Sequence, residues 1–278
     1  MKLATIRTPH GTRAARVEAD HLVELGVEDV GALLRESPDA LVRAATVTGP
    51  SHPLDDVDYA PLVLDPGKIV CVGVNYADHI AEMGREPPPY PTLFAKFTDA
   101  LIGAYDDIVL PVASDATDWE CELALVIGTP VRHATEEQAA RAIAGFTVAN
   151  DVSMRDWQRR TEQWLQGKTW EHATPLGPWL VTPDEVGGAA PDLELVCEVD
   201  GVEMQRSHTG LLVFGPAAIV AYVSTILTLR PGDVILTGTP AGVGFARNPP
   251  IFLQPGQVVT SRIEGVGELR NRCVAEAP

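Results

Sequence analysis

The stretch Asp118-Trp-Glu-Cys-Glu-Leu-Ala-Leu-Val-Ile-Gly128 constrains the fold more than any other part of the chain. Its residues alternate at period two, the side-chain period of a β-strand. Cys121, Leu123, Leu125 and Ile127 form one apolar face, and Glu120, Glu122, Ala124 and Val126 form the other. A strand this apolar belongs in a sheet with at least one covered face, so two carboxylates project together from an otherwise apolar surface. Pressed together and unpaired in a half-buried site, they repel one another and lose hydration. A divalent cation resolves that conflict, because hard cations take carboxylate oxygens. The other resolution is an exposed sheet edge with both glutamates in water, and the stretch alone leaves both open.

The rest of the chain narrows the choice. Its 278 residues suffice for one large core, or a core plus a small appended domain, at ~100–200 residues per domain. A hydrophobic fraction of 45% is ordinary for a soluble globular protein. The formal net charge of −17 argues against nucleic acid and anionic membrane as partners, since both require a basic patch and no Lys/Arg run is present. There is no charged-then-apolar leader and no apolar run long enough to span a bilayer, which makes the cytoplasm the expected location. Cys71, Cys121, Cys197 and Cys273 are far apart and form no C-x-x-C pair, so neither a disulfide framework nor a zinc site is expected. Of 21 basic residues only Lys2, Lys68, Lys96 and Lys168 are lysines. In so Arg-rich a chain a lysine marks a place where an ammonium is specifically needed, which draws attention to Lys96 and Lys168.

In chain order, Met1–Arg7 and Ala14–Leu25 read as strands around a Pro9–Gly11 turn. Asp29 precedes a helix over Val30–Ala45 that is interrupted near Ser37-Pro38. The Pro- and Asp-rich Ser51–Pro66 reads as a linker into a larger domain. Lys68–Gly73 is a buried-strand run, followed by a helix-compatible Asn75–Met83. His79 and Glu82 share a helical face there, and a carboxylate beside an imidazole fixes its tautomer and raises its basicity. That pair fits a general base, although the spacing by itself favours a casual surface ion pair. Gly84–Pro91, with four prolines, cannot be helix and reads as a stiff loop beside the short helix, the material of a lid. Phe146–Ala149 is a strand ending in Asn150-Asp151, which aims a third carboxylate into a cleft. A helix starting at Asp151 would put Asp151, Arg155 and Gln158 on one face, where Arg155 and Gln158 hold an anionic ligand. Asp200-Gly201 is a hairpin turn, and Phe214–Leu229 a helix with Pro216 in its first turn. Gly238-Thr-Pro-Ala-Gly-Val-Gly244 is a glycine loop whose backbone N–H groups can approach a carboxylate or phosphate; it is neither a P-loop nor a dinucleotide fingerprint.

Taken together, seven blocks resemble the fumarylacetoacetate hydrolase family: Val72–Met83, Asp118–Leu123, Ala149–Gln158, Gln166-Gly-Lys168, Pro175–Pro178, Leu236–Gly244 and Ile263–Gly267. The resemblance runs from Lys68 to about Asn271. It implies a mainly-β α+β fold, a mixed β-roll, with residues 66–278 as catalytic domain and residues 1–65 as a small N-terminal α/β domain. It also implies a homodimer, and Mg²⁺ or Mn²⁺ held by Glu120, Glu122 and Asp151. By the same resemblance Lys168 is the anchoring basic group, Arg155 and Gln158 contact an α-keto acid, and Thr239 holds the substrate carboxylate. His79 and Glu82 match the lid dyad of acylpyruvase-like members. Trp170-Glu171 and Thr209-Gly210 depart from the pairs common in the family, near the substrate pocket.

The residue types set out a shared chemistry. An α-keto acid chelates the cation, and Lewis-acid polarisation stabilises negative charge as the neighbouring carbon loses a proton or a carbon substituent. Hydrolysis of a 2,4-diketo acid such as acetylpyruvate or fumarylpyruvate needs a base for water, and His79 with Glu82 fills that role. The expectation is therefore a metal-dependent C–C bond hydrolase. The alternatives are a decarboxylase of oxaloacetate-type acids, an isomerase or hydratase of unsaturated 2-oxo diacids in aromatic catabolism, or a non-catalytic oxo-acid-binding relative.

Overall fold

The computed structural model describes residues 1–277. The strand Cys121–Ile127 lies inside a 12-stranded mixed sheet. It pairs antiparallel with Ile143–Asn150 on one side and with Val234–Leu236 on the other. Val234–Leu236 continues in parallel to Ile69–Gly73, which pairs antiparallel with Thr92–Lys96. In the other direction Ile143–Asn150 pairs with Thr174–Val181, and that strand pairs with Lys2–Thr8. A second sheet of five strands runs in the order Val202–His208, Glu194–Val199, Val258–Ile263, Gly267–Ala275, Ile108–Leu110. The result is a mainly-β α+β fold.

Every residue of Cys121–Ile127 is buried, which overturns the exposed-edge reading. Its alternation distributes it between two cores. Cys121, Leu123, Leu125 and Ile127 share a core with Leu195, Cys197, Val259, Ile263 and Leu269 of the second sheet. Ala124 and Val126 share the other with Leu3, Leu33, Leu34 and Leu62 from the N-terminal region. Each fully buried Leu or Ile here contributes about 1.5–3 kcal/mol, and the small Ala124 and Ala149 let the second layer approach closely.

Local differences from the sequence expectations have identifiable causes. The expected continuous strand 118–128 is two pieces, Thr117–Asp118 and Cys121–Ile127. Between them the Glu120 N–H donates to the Asn150 side chain at 2.9 Å, and the Glu120 carbonyl accepts from the Asp151 N–H at 2.8 Å. The helix expected from Asp151 starts at Arg155, because Ser153–Met154 pairs instead with Thr117–Asp118. Ala14–Leu25 is broken by a turn into Gly11–Val17 and His21–Glu24, with the Glu18 N–H donating to the His21 carbonyl. The supposed linker holds two short strands, Ser51–Pro53 and Asp58–Tyr59, which pair with His21–Glu24 and Lys2–Thr8. The helix break at Ser37-Pro38 stands as expected, with Asp29 capping Val30–Glu36 through the Ala32 N–H.

The pairing of Lys2–Thr8 with Thr174–Val181, Leu3 opposite Leu180, carries the large sheet across residue 65. Removing residues 1–65 would bare that edge and the apolar residues Leu176 and Leu180, both fully buried now. An open apolar edge templates aggregation. Residues 66–278 expressed alone are therefore expected to be insoluble or aggregated by size-exclusion chromatography. A monodisperse fragment with the full chain's melting temperature would contradict this.

Candidate active site

Four carboxylates and three cations are assembled where the two strand ends meet. Glu120, Glu122 and Asp151 each offer a carboxylate oxygen, and these oxygens lie within 4.8 Å of one another in a buried group. Lys168 Nζ reaches Glu120 Oε2 at 2.7 Å and Asp151 Oδ2 at 2.8 Å. Lys96 Nζ takes the other Asp151 oxygen at 2.5 Å. Arg155 donates from Nε to Asp118 Oδ2 at 2.8 Å and pairs through Nη1 with Glu120 Oε1 at 2.6 Å. Asp118 also accepts from the Gly244 and Phe245 N–H groups. Glu122 alone has no cation: its Oε2 accepts the Gly238 N–H at 2.6 Å.

Electrostatics follows that inequality. Burial raises the Glu120 carboxyl, but Lys168 and Arg155 outweigh it and hold it well below the usual carboxylate range. Glu122 goes the other way. Burial, then the charges of Asp151 and Glu120, push it well above that range. A site one positive charge short, lined by hard oxygen donors, suits a divalent cation. The donor set therefore fits Mg²⁺ or Mn²⁺, with Glu120, Glu122 and Asp151 as the residues that would hold it.

Above the cluster opens a cavity of about 580 Å³ whose wall includes Glu120, Glu122, Arg155, Gln158, Lys168, Thr239 and His79. Gln158 Oε1 accepts from Arg155 Nη1 at 3.0 Å, so these two expected substrate residues do touch. Arg155 Nη2 is buried without a partner. Thr239 is anchored, accepting from Gln205 Nε2 at 2.8 Å and donating to the Cys121 carbonyl at 3.1 Å. His79 lies on the helix Ala77–Glu82, its Nδ1 2.8 Å from Glu82 Oε2. Glu82 Oε1 accepts the Gly242 N–H at 3.0 Å, and Asp78 accepts from Ser207 Oγ at 2.6 Å, so the short helix is tied down at both ends. The Pro-rich loop after it is pinned by Tyr90 stacked on Tyr222, ring centroids 6.3 Å apart.

The glycine loop does approach carboxylates closely, but they are the protein's own: Gly238, Gly242 and Gly244 donate to Glu122, Glu82 and Asp118. Gly242 has φ 98°, and a Cβ there would lie 2.2 Å from the Met204 carbonyl oxygen, so the close approach needs glycine. Two members of the cluster were not among the expected site residues. Lys96 was marked only by the scarcity of lysine, and Asp118 only by its place at the head of the acidic stretch. Both lie at a strand end, and only the sheet register brings them to the glutamates.

The chain resembles known proteins in both sequence and fold. The family model "Fumarylacetoacetate (FAA) hydrolase C-terminal" matches residues 68–274. The mitochondrial oxaloacetate tautomerase FAHD2A of Bos taurus is 46% identical over 242 residues, 86% of this chain and 77% of that protein. The Homo sapiens protein of the same name is 45% identical over 234 residues, 84% of this chain and 74% of that one. Among solved structures, 5-carboxymethyl-2-hydroxymuconate delta-isomerase from Mycobacterium smegmatis is 38% identical, with a TM-score of 0.82 and 100% of both chains covered. The fumarylacetoacetate hydrolase of Exiguobacterium antarcticum is 33% identical, with a TM-score of 0.87, covering 99% of this chain and 100% of that one.

The raised Glu122 carboxyl gives a signed expectation. In metal-free protein the folded state keeps a proton that the unfolded chain releases near pH ~4.3. Stability therefore falls as the pH rises from that range toward the higher folded value. Glu122→Gln should flatten this decline without destabilising the metal-free protein. It should also abolish the Mg²⁺-dependent rise in melting temperature, which for wild type corresponds to about 2.7 kcal/mol at 100 times Kd. Calorimetric scans across pH, with and without Mg²⁺, check both. A full Mg²⁺ response in Glu122→Gln would exclude Glu122 as a ligand.

Proposed function

The chain belongs to the fumarylacetoacetate hydrolase family, and on that premise we propose that it moves a proton at the carbon beside the 2-oxo group of an oxaloacetate-type acid, interconverting keto and enol forms. The observation that carries the reading is the 46% identity to the bovine oxaloacetate tautomerase across 86% of the chain. A divalent cation, Mg²⁺ or Mn²⁺, bound by Glu120, Glu122 and Asp151 would supply Lewis-acid polarisation of the 2-oxo group.

The chain's own residues supply the rest. Arg155 lines the cavity with its Nη2 unpartnered in the protein, the donor we assign to the substrate carboxylate, and Gln158 accepts from the neighbouring Nη1. Lys168 keeps positive charge between Glu120 and Asp151, next to the position where negative charge develops. His79 takes the proton from the carbon beside the 2-oxo group and returns it to oxygen or carbon. Glu82, against Nδ1, holds the tautomer that leaves Nε2 as the acting atom. Gly242, donating to Glu82, keeps the dyad at the cavity wall.

A second reading, C–C hydrolysis of an acylpyruvate, is favoured by the same dyad in a cavity of about 580 Å³, which has room for a longer acid and an attacking water. The two separate in one assay. With Mg²⁺, the protein is expected to accelerate loss of enol-oxaloacetate absorbance while leaving acetylpyruvate and fumarylpyruvate intact. His79→Ala should lower the rate by about 10²–10⁴ with Mg²⁺ affinity unchanged by calorimetry. Cleavage of an acylpyruvate without acceleration of oxaloacetate tautomerisation would replace the first reading by the second.

A further inference from the structure

The cations of the cavity fall into two groups. Lys168, and Arg155 apart from its free Nη2, are committed to Asp118, Glu120 and Asp151. Arg85 and Arg159 line the same cavity, and among the described residues neither guanidinium has a hydrogen-bond acceptor or an acidic partner. Both residues are exposed, in a chain of net charge −17. The carboxylates on the cavity wall are already engaged. Glu82 is held by His79 and Gly242, Glu120 by Lys168 and Arg155, and Glu122 by Gly238.

Arg159 is also held in place. Its guanidinium carbon lies over the Phe245 ring, 3.5 Å from the ring centre, a cation–π contact that engages no N–H acceptor. Phe245 is itself fixed through its N–H to Asp118, so the contact is referenced to the carboxylate cluster. Burial, then Arg155 and Arg85, lower the Arg159 pKa, which means the three guanidiniums feel one another. Arg85 comes from the Pro-rich loop behind the His79 helix, where its N–H donates to the Ile80 carbonyl. Like charges brought to one wall from two separate segments repel unless an anion joins them.

We propose that Arg85 and Arg159 form the receptor for a second, distal carboxylate of the substrate, so that this site selects 2-oxo dicarboxylates over 2-oxo monocarboxylates. The inference rests on the reading of the cavity as a 2-oxo acid site whose wall carries both the carboxylate cluster and the two unpaired arginines. A guanidinium offers parallel N–H donors that match a carboxylate edge, and those of Arg159 have no other partner. Arg85, on the loop, completes the receptor from the lid side and couples its position to the substrate's distal end.

The test is a binding measurement, so that it stands apart from turnover. Mg²⁺-loaded full-length protein is titrated calorimetrically with two pairs of equal chain length, oxaloacetate against 2-oxobutanoate and 2-oxoglutarate against 2-oxopentanoate. In at least one pair the dicarboxylate is expected to bind about tenfold or more tightly, with a preference that shrinks as salt rises. Arg85→Gln/Arg159→Gln should contract that ratio toward one while Mg²⁺ affinity, titrated alone, is retained. Each single variant should contract it part of the way. A wild-type ratio near one in both pairs overturns the proposal, and so does a ratio that survives the double substitution. Loss of Mg²⁺ affinity in the double variant does so too, because the arginines would then be supports of the cluster. If no 2-oxo acid is turned over yet the ratio behaves as expected, only the reaction assigned above fails. If oxaloacetate is tautomerised without any dicarboxylate preference, only the arginine receptor fails.

Discussion

The interior of this protein is organised by a chain of buried ion pairs that runs Asp118–Arg155–Glu120–Lys168–Asp151–Lys96. Removing one member of such a chain leaves an uncompensated buried charge, at a cost of about 3–5 kcal/mol. That penalty explains local features that no propensity would dictate. The acidic strand breaks at Trp119-Glu120 so that Glu120 can face both Arg155 and Lys168 while its backbone is satisfied by Asn150 and Asp151. The short helix begins at Arg155, which places that guanidinium against Asp118 and Glu120. The glycine loop closes over the same group and spends its N–H donors on Asp118, Glu122 and Glu82.

That chain is balanced, three carboxylates against three cations, and the imbalance of the cluster lies beside it. Glu122 is the carboxylate left over, held only by a backbone N–H and pushed toward its protonated form by burial and by its neighbours. A second cluster of purely structural ion pairs would be balanced. An excess carboxylate facing a cavity among other oxygen donors suits a divalent cation. The two sheets make the arrangement rigid, because the strand that carries Glu122 is covered on both faces by separate apolar cores. The lid side is built more lightly, from a six-residue helix tied at Asp78 and Glu82 and a proline-rich loop. Rigid ligands with a lighter cover is a division of labour suited to admitting a small acid and closing over it.

Much of this was legible in the residues. Glu120, Glu122 and Asp151 could be paired from the period of one strand and the end of another, and they do converge. His79 and Glu82 could be paired from helical spacing, and their side chains do meet. Arg155 and Gln158 touch, although the helix that was to carry Asp151 with them starts four residues later, since Ser153–Met154 finds a strand partner in Thr117–Asp118. What lay out of reach depended on register between distant segments. Lys96 meets Asp151 only because Thr92–Lys96 is the outer neighbour of Ile69–Gly73. The continuity of the large sheet through Lys2–Thr8 is likewise a long-range pairing with no local signal. The glycine loop allows its N–H groups to meet a carboxylate or a phosphate, and tertiary packing makes the anions the protein's own Glu122, Glu82 and Asp118.

The most direct test of this account is a crystal structure of the protein grown with Mn²⁺, with data collected at the manganese edge. One anomalous peak is expected among Glu120, Glu122 and Asp151, bonded to an oxygen of each, with Lys96 still paired to Asp151. A peak elsewhere, or a cluster in which Glu122 stays unligated at saturating Mn²⁺, would contradict it.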